Sequence, residues 1–588
     1  MALGRSLPMD YFEEIWLVDF EFRSPPGCRP EVICLSAKEF RSGRQLLLWA
    51  DELGKEPPFD MSERSLFVAF YASAELGCFR SLAWAQPKRI LDLFAEFRCL
   101  TNGLPLISGN GLIGALTHFG LPAIGVEEKK EMRDLVLRGG PYTSGEKASI
   151  LAYCATDTDA LARLLPAMEP RLDLARALLR GRYMSAVSAM EFEGVPLDTE
   201  TLDRLLSNWS ALQRRLIDSV DREYGVYENY TFKRERFERW LAKRGISWPH
   251  LESGELDLQS KTFEDEVKIH SEIRNLAELR CSLSEMRLND LAVGADGCNR
   301  CLLSPFRSVT GRNQPSNAKF IFGPSTWMRG LIKPKEGEAL AYIDFEQQEF
   351  AIAAALSGDP GMKASYLSGD CYLSFAKQAG AVPDDATKES HGDIRDKYKQ
   401  CVLGVQYGMG EESLGVRIGQ STFEARELLR KHKEVYDEYW KWAENVLNWS
   451  LMLREQKTVF GWTAHVGYKP HKRTGLIEPN DKSTVNFFMQ ANGAEMMRIT
   501  ACLATEAGIR VCAPVHDAFL IAGTLEHIGT KEQPGPVTRK MQEIMREASM
   551  AVLDGFEVRT EANIFRYPDR YMDKRGKDFW GKVIGELK

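Results

Sequence analysis

Residues 342–350 read YIDFEQQEF, and the placement of their acids decides how the rest of the chain is read. The run before them, EALAY, is strand-like and apolar, and the run after them, AIAAALSGD, has the composition of a buried helix. Asp344 therefore ends a buried strand, with Glu349 five residues on, just inside the following helix. An ionised carboxylate in apolar surroundings is costly unless a cation pairs with it. A basic side chain or a metal is expected from elsewhere in the sequence.

A matching acid occurs in VCAPVHDAFLIAG, residues 511–523, where two apolar runs flank His516 and Asp517. This layout predicts a β-hairpin with the polar pair at its tip. His-Asp is not the favoured chemistry for a tight hairpin turn, so a role beyond structure is expected there. Two strand-end aspartates brought into one sheet would suit a two-metal site for phosphoryl transfer. Between them lies HGDIRDKYKQCVLGVQYGMG, residues 391–410, in which Arg395, Lys399, Leu403 and Tyr407 recur every four residues. Like charges at that spacing mildly destabilise a helix, and Asp396 and Glu389 would offset this only in part. A triphosphate along the face explains it better, with Arg and Lys as its contacts and Tyr407 as a stacking surface.

A second set of acids lies near the N-terminus. In IWLVDFEF, residues 15–22, strand alternation puts Asp19 and Glu21 on one face at the end of a buried strand. Such close like charges push one acid toward protonation unless a cation sits between them, and hard divalent ions favour oxygen ligands. In ILAYCATDTDALARLL, residues 150–165, Tyr153 and Asp157 stand one helical turn apart. Between these segments, FVAFYASAELGCF reads as a strand followed by a short helix presenting Glu75.

Composition bounds the remaining choices. The 588 residues imply two to four domains, with 44% hydrophobic and 27% charged residues as in ordinary globular proteins. No apolar run reaches the roughly 18 residues of a membrane helix, and the N-terminus lacks a signal-peptide core, so a cytoplasmic location without membrane contact is expected. Twelve cysteines follow no framework spacing; Cys298 and Cys301 form a zinc half-site that no second pair completes, and reduced thiols are expected. The net charge of −7 gives no general attraction to nucleic acid, but KRERFERWLAKR at 233–244 is a local basic segment with six basic residues and two aromatic ones.

The N-terminal set resembles the DEDD-type 3′–5′ proofreading exonucleases: Asp19 and Glu21 match the acid-x-acid motif, and Tyr153 and Asp157 the Tyr-x-x-x-Asp motif. The middle motif, which usually carries Asn and Phe before Asp, reads Tyr71, Ala74 and Glu75 here. The later segments resemble the family A DNA polymerases, the group of bacterial DNA polymerase I and many phage replicases. DFEQQE corresponds to motif A, Arg395 through Gly408 to motif B, and VHDAF to motif C, with Arg312 in TGR and Asn486 and Gln490 in NFFMQANGAE as further matches. Three positions depart from the pattern: Ala518 stands where motif C usually has Glu, Leu403 where motif B has an aromatic residue, and Lys482 is the candidate for the basic residue ahead of Asn486.

The resemblance implies an α/β, ribonuclease H-like exonuclease domain over residues 1–168, followed by an α+β right-hand polymerase domain over 169–588. Within the latter it implies a thumb near 198–300, a palm near 301–360 and 455–588, and fingers near 361–454, with segment 233–244 a thumb element. No 5′ nuclease domain is expected ahead of Asp19, which only eighteen residues precede. It further implies Asp344 and Asp517 as polymerase metal ligands, and Asp19, Glu21, Asp157 and Glu75 as exonuclease ligands assisted by Tyr153. Arg395, Lys399, Leu403, Tyr407, Glu349 and His516 would surround the nucleotide and primer end, and Arg312, Asn486, Gln490 and Lys482 the DNA. Two Mg²⁺ per site, replaceable by Mn²⁺, are implied, as are primer-template DNA and deoxynucleoside triphosphates as partners. A monomer in the cytoplasm, or the host cytoplasm if phage-encoded, is expected; a processivity factor is not identified. Two other readings stand beside this one, a single-subunit RNA polymerase and an inactive DNA-binding scaffold. Glu349 as a deoxyribose filter opposes the first, and the retained Asp344, Asp517, Asp19 and Asp157 oppose the second.

Overall fold

A computed structural model describes residues 8–123, 126–251, 253–267, 269–284, 290–323, 325–470 and 475–587. Its first sheet grows from β1 (Glu14–Arg23), whose Trp16, Leu17 and Val18 are fully buried. With β2 (Glu31–Glu39), β3 (Gln45–Trp49), β4 (Ser65–Ala69) and β5 (Ile90–Asp92) it forms a five-stranded sheet in the order β3-β2-β1-β4-β5. The β1–β2 and β2–β3 pairs are antiparallel, and β1–β4 and β4–β5 are parallel. The register shifts between Glu21 and Phe22, at the strand end that carries the paired acids. Bulges of this kind re-aim side chains and end pairing.

Two segments differ from the sequence reading. RILDLFAEFR is not helical throughout: its first residues form β5, because Asp92 caps the helix α2 (Leu93–Thr101) by accepting the N–H of Phe94 and Ala95. SLFVAFYA stops being a strand at Ala69, since Tyr71 adopts φ 77° and opens the helix α1 (Ala72–Ser81). Asp92 holds this strained turn as well, accepting from Tyr71 N at 3.1 Å and Ala72 N at 3.0 Å. Further along, α3 (Val126–Arg138) and the long α4 (Ser144–Met168) complete the layer over this sheet.

The connection to the rest of the molecule is α5 (Leu174–Glu193), a helix packed against β5 and α1 on one side and against the second sheet on the other. At Gly181 a Cβ would meet the Ile90 carbonyl oxygen at 1.9 Å, so helix and strand touch backbone to backbone. Beside that contact Arg180 and Glu96 form a fully enclosed bidentate pair at 2.5 and 2.7 Å. The chain continues through α6 (Thr199–Tyr224) and α7 (Arg234–Arg244). In α7 the aromatic residues Phe237 and Trp240 are buried, leaving basic side chains outside.

The second sheet is antiparallel throughout. Its strands are β6 (Glu338–Phe345), β7 (Arg510–Val515), β8 (Ala518–Thr524) and β9 (Thr560–Arg566), in the order β7-β8-β6-β9. The expected strand–helix passage at 338–357 is present, with α8 (Gln348–Ser357) following β6, and so is the hairpin at 510–524. Between β6 and β7 an all-helical lobe includes α9 (Gly392–Gln406), α10 (Thr422–Val435) and α11 (Asp437–Leu453), and α12 (Asp481–Glu506) returns the chain to the sheet. The lobe has an aromatic centre in which Phe375, His432, Tyr436, Tyr439 and Trp440 touch edge to face or tilted.

Candidate active sites

The ladder between β6 and β8 ends on the pair Asp344–Ala518, and Phe345 N–H donates to the carbonyl oxygen of Asp517 at 3.1 Å. The hairpin tip thus sits beside the end of β6, and Asp344 and Asp517 are electrostatic neighbours. The turn is tight enough to force His516 to φ 56°. Burial first, then the charge of Asp517, push the Asp344 carboxyl up to about 6. Burial also raises Asp517, while Arg312 and His516 act in the opposite direction. Burial lowers His516, so the imidazole is held neutral beside the acids.

Glu349, in the first turn of α8, accepts a hydrogen bond from Tyr407 Oη at 2.6 Å and lies 4.0 Å from Arg312. Gln490 Nε2 donates to the same Tyr407 Oη at 3.5 Å, and the Lys482 side chain lies against Gly408, where an added Cβ would meet it at 2.9 Å. Asn486 shares α12 with Gln490, one helical turn earlier. Residues from motif-like segments far apart in sequence therefore meet in one cleft. Arg395 is paired with Asp370 and, at 3.0 Å, with Asp396, and both Arg395 and Lys399 lie over the Tyr372 ring at 5.4 and 5.8 Å. Asp370 is the compensating acid that sequence spacing missed. Glu389 instead belongs to a local turn with Thr387. Leu403 is half-buried on the same helix and packs against the core.

At the end of β1 the four acids Asp19, Glu21, Glu75 and Asp157 converge. Phe20 N–H donates to Glu75 Oε2 at 2.7 Å, which fixes Glu75 next to Asp19, and Asp157 faces Asp19, Glu21 and Glu75 electrostatically. Burial foremost, then the neighbouring carboxylates, raise Asp19 and Glu75, and burial pushes Glu21 up to about 9. Tyr153, one turn from Asp157, is raised for the same reason. Lys129 of α3, which the sequence reading missed, reaches Asp157 with its Nζ 3.0 and 3.3 Å from the two carboxylate oxygens. It was not legible because EEKKEMR carries no periodic signal that selects one lysine. Cys154, also missed, donates its thiol to Asp19 Oδ2 at 3.4 Å. Asp19, Asp157, Lys129, Tyr71, Phe94 and Asn110 line a cavity of about 370 Å³. A larger cleft of about 1140 Å³ is lined by Tyr71, Arg133, Arg307, Arg312 and His516, and so runs between the two sites.

The sequence model described as DNA polymerase family A matches residues 323–564, a span that holds Asp344, Glu349, Arg395, Tyr407 and Asp517. The DNA polymerase of Mycobacterium phage D29 is 26% identical over 455 residues, covering 74% of this chain and 68% of the phage protein. The matched segment is thus similar to DNA polymerase family A. Among further relatives, the DNA polymerase of Mycobacterium phage L5 is 24% identical over 66% of this chain and 65% of its own length. The thermostable DNA polymerase I of Thermus aquaticus is 24% identical over 62% of this chain, which spans 45% of that relative. The POL domain of Pol1 from M. smegmatis, solved in complex with DNA primer-template and dNTP, superposes with a TM-score of 0.69 at 16% identity. That superposition covers 93% of this chain and 94% of the solved one, so the fold likeness extends beyond the segment matched by the family.

The carboxylates of both sites are donors that suit hard divalent cations. Asp19, Glu21 and Cys154 bring ligand atoms within 4.8 Å of one another, and Asp19 and Asp157 line the small cavity together with Lys129. Carboxylates raised by burial gain most from a cation placed among them. No helix among the described residues is long and apolar enough to cross a membrane.

Proposed function

We propose that this chain extends the 3′ end of a DNA primer on a DNA template with deoxynucleoside triphosphates, and hydrolyses the same end at its N-terminal site. The observation that carries the reading is the meeting of Asp344 and Asp517 at adjacent strand ends, beside a Glu349 held by Tyr407. Asp344 and Asp517 would hold the polymerase cations, and Asp19, Glu21, Glu75 and Asp157 those of the exonuclease; Mg²⁺, with Mn²⁺ as substitute, supplies Lewis-acid stabilisation of phosphoryl transfer when bound.

The chain's own groups do the rest. Arg395 and Lys399 neutralise the triphosphate, with Arg395 already oriented by Asp370. Glu349 excludes a 2′ hydroxyl by volume, and this filter disfavours the RNA polymerase reading. Arg312, Asn486, Gln490 and Lys482 contact the primer–template, and His516 lies at the primer end. Tyr153 orients the attacking water at the N-terminal site, where Lys129 offsets the charge of Asp157. On this reading the chain works in the cytoplasm, the host's if it is phage-encoded.

Primer extension and degradation of a single-stranded 3′ end, measured in Mg²⁺ on one preparation, test both halves. Asp517→Ala is expected to abolish extension and spare degradation, and Asp19→Ala to do the reverse. Loss of both activities in either folded variant would refute the assignment of two sites.

A further inference from the structure

Tyr71 lines both the small cavity of Asp19 and Asp157 and the larger cleft that reaches His516. The helix α3 spans the same boundary. Its Lys129 lines the small cavity, while Arg133 and Leu137, one and two turns further on, line the cleft. Residues four apart share a helix face. This face is turned outward because Val136, on another side of α3, is buried in a core cluster with Ile33, Ile150 and Cys154. Arg133 and Leu137 are accordingly exposed.

The cleft carries a charge opposite to that of the acid cavity. Among its described lining residues, Glu191 is the acid that stands against Arg133, Arg307, Arg312 and Lys319. Glu191 accepts the Leu303 N–H at 2.7 Å, and burial pushes its carboxyl up to about 8, which leaves it uncharged at neutral pH. Arg300 and Arg498, also in the lining, are neutralised by Asp296 and Glu495. Arg133 makes no hydrogen bond or ion pair with another described residue. A groove of one sign attracts a polyanion and follows its backbone. Lys129 Nζ, 3.0 Å from Asp157, marks where α3 meets the acids. Helical rise sets Arg133 about 6 Å further along the axis, on the order of one nucleotide step of a stretched strand.

We propose that Arg133 binds the single-stranded 3′ end at the N-terminal site, taking the phosphate next in line to the one at the acids, with Leu137 against a base of the same strand. The proposal rests on the reading that this site degrades a 3′ end. A guanidinium with no protein partner to give up meets a phosphate through charge-assisted hydrogen bonds. The contact fixes position without reading sequence.

The test compares an unpaired oligothymidine with the nitrophenyl ester of thymidine 5′-monophosphate. The ester has one phosphate, so it cannot reach Arg133 while it sits at the acids. Hydrolysis of both in Mg²⁺ is followed as kcat/KM between about 50 and 200 mM salt. Arg133→Gln is expected to lower the ratio of kcat/KM for the oligonucleotide to that for the ester roughly fivefold to tenfold, mainly through KM. The plot of log kcat/KM against log salt for the oligonucleotide should become shallower by about 0.7, the share of one phosphate contact on a single strand. Arg133→Lys keeps the charge and should keep the parent slope. Where the ester is too poor a substrate, the slope alone decides; should Arg133→Gln not fold, Arg133→Met must show the same change. A merely structural role lowers both substrates alike and leaves ratio and slope at the parent values, and that outcome overturns the proposal. A parent that hydrolyses neither substrate overturns instead the reading of the N-terminal site on which the proposal rests.

Discussion

At the scale of single residues, the proposed function would place nucleotide selectivity on two side chains, Glu349 and Leu403. Glu349 is fixed by Tyr407 Oη at 2.6 Å, so its carboxylate cannot swing away without breaking that bond. Fitting a 2′ hydroxyl against it would cost on the scale of overpacking, about 1–3 kcal/mol. Glu349→Ala is therefore expected to raise ribonucleotide incorporation roughly tenfold to a hundredfold, read as the ratio of kcat/KM for ribo- and deoxynucleotides. An unchanged ratio would place the filter elsewhere. Leu403 offers no hydrogen-bonding group on the same helix as Arg395 and Lys399. A Tyr hydroxyl there would stand in for the missing 3′ hydroxyl of a dideoxynucleotide, a bond worth about 0.5–1.5 kcal/mol. The parent enzyme should thus discriminate against dideoxynucleotides, and Leu403→Tyr should narrow the gap by up to roughly tenfold. Ready dideoxynucleotide use by the parent would rule this out.

At the scale of elements, the helical lobe carries a buried titratable group. His432 of α10 is fully buried among Phe375, Tyr436 and Trp440, and its Nδ1 accepts from Trp440 Nε1 at 3.2 Å. Desolvation pushes its pKa down to about 3, so the folded lobe keeps the imidazole neutral. The unfolded chain takes up that proton below about 6.5, and the folded one does not until about 3. Stability from this residue is thus complete above 6.5 and falls by about 1.4 kcal/mol per pH unit as the solution is acidified toward 3. His432→Gln keeps an acceptor for Trp440 and removes the titration. Chemical denaturation followed by Trp fluorescence between pH 7 and 5 should show a shallower pH slope for this variant, by one proton. Equal slopes would show that the lobe opens before His432 matters.

At the scale of the whole molecule, α5 is the joint between the two sheets. Arg180 and Glu96 are both more than nine-tenths buried there, so removing one leaves the other charged in apolar surroundings. Arg180→Met is expected to cost about 3–5 kcal/mol, whereas Arg180→Met with Glu96→Met should restore most of it. Scanning calorimetry of both variants distinguishes the outcomes; a double variant no more stable than the single one would mean that the pair is not a closed unit. The two candidate sites belong to sheets joined at this helix, and the cleft from Tyr71 to His516 runs past it, lined also by Tyr183 and Glu191 of α5. Loosening the joint should therefore alter how often the 3′ end is degraded before it is extended.

How much of this was legible differs between motifs and partners. Local sequence determined the strand ends and the helices: short continuous apolar runs produced β1 and β6, and spacing of four put Arg395, Lys399 and Leu403 along α9. The same local patterns located Asp344, Asp517, Asp19 and Glu21, because acids that end apolar runs stand out, and Asp157 by its one-turn spacing from Tyr153. They also located Glu75, though not the backbone N–H of Phe20 that holds it. What only the tertiary structure decided is which charges meet. Asp370 reaches Arg395, Lys129 reaches Asp157, and Glu561 lines up with Asp344, across separations in sequence that no periodicity connects. The physical reason is that periodicity records which side of an element is apolar, a property of neighbouring residues. Pairing of buried charges depends instead on which strands and helices share an edge, and that is settled by packing of the whole chain.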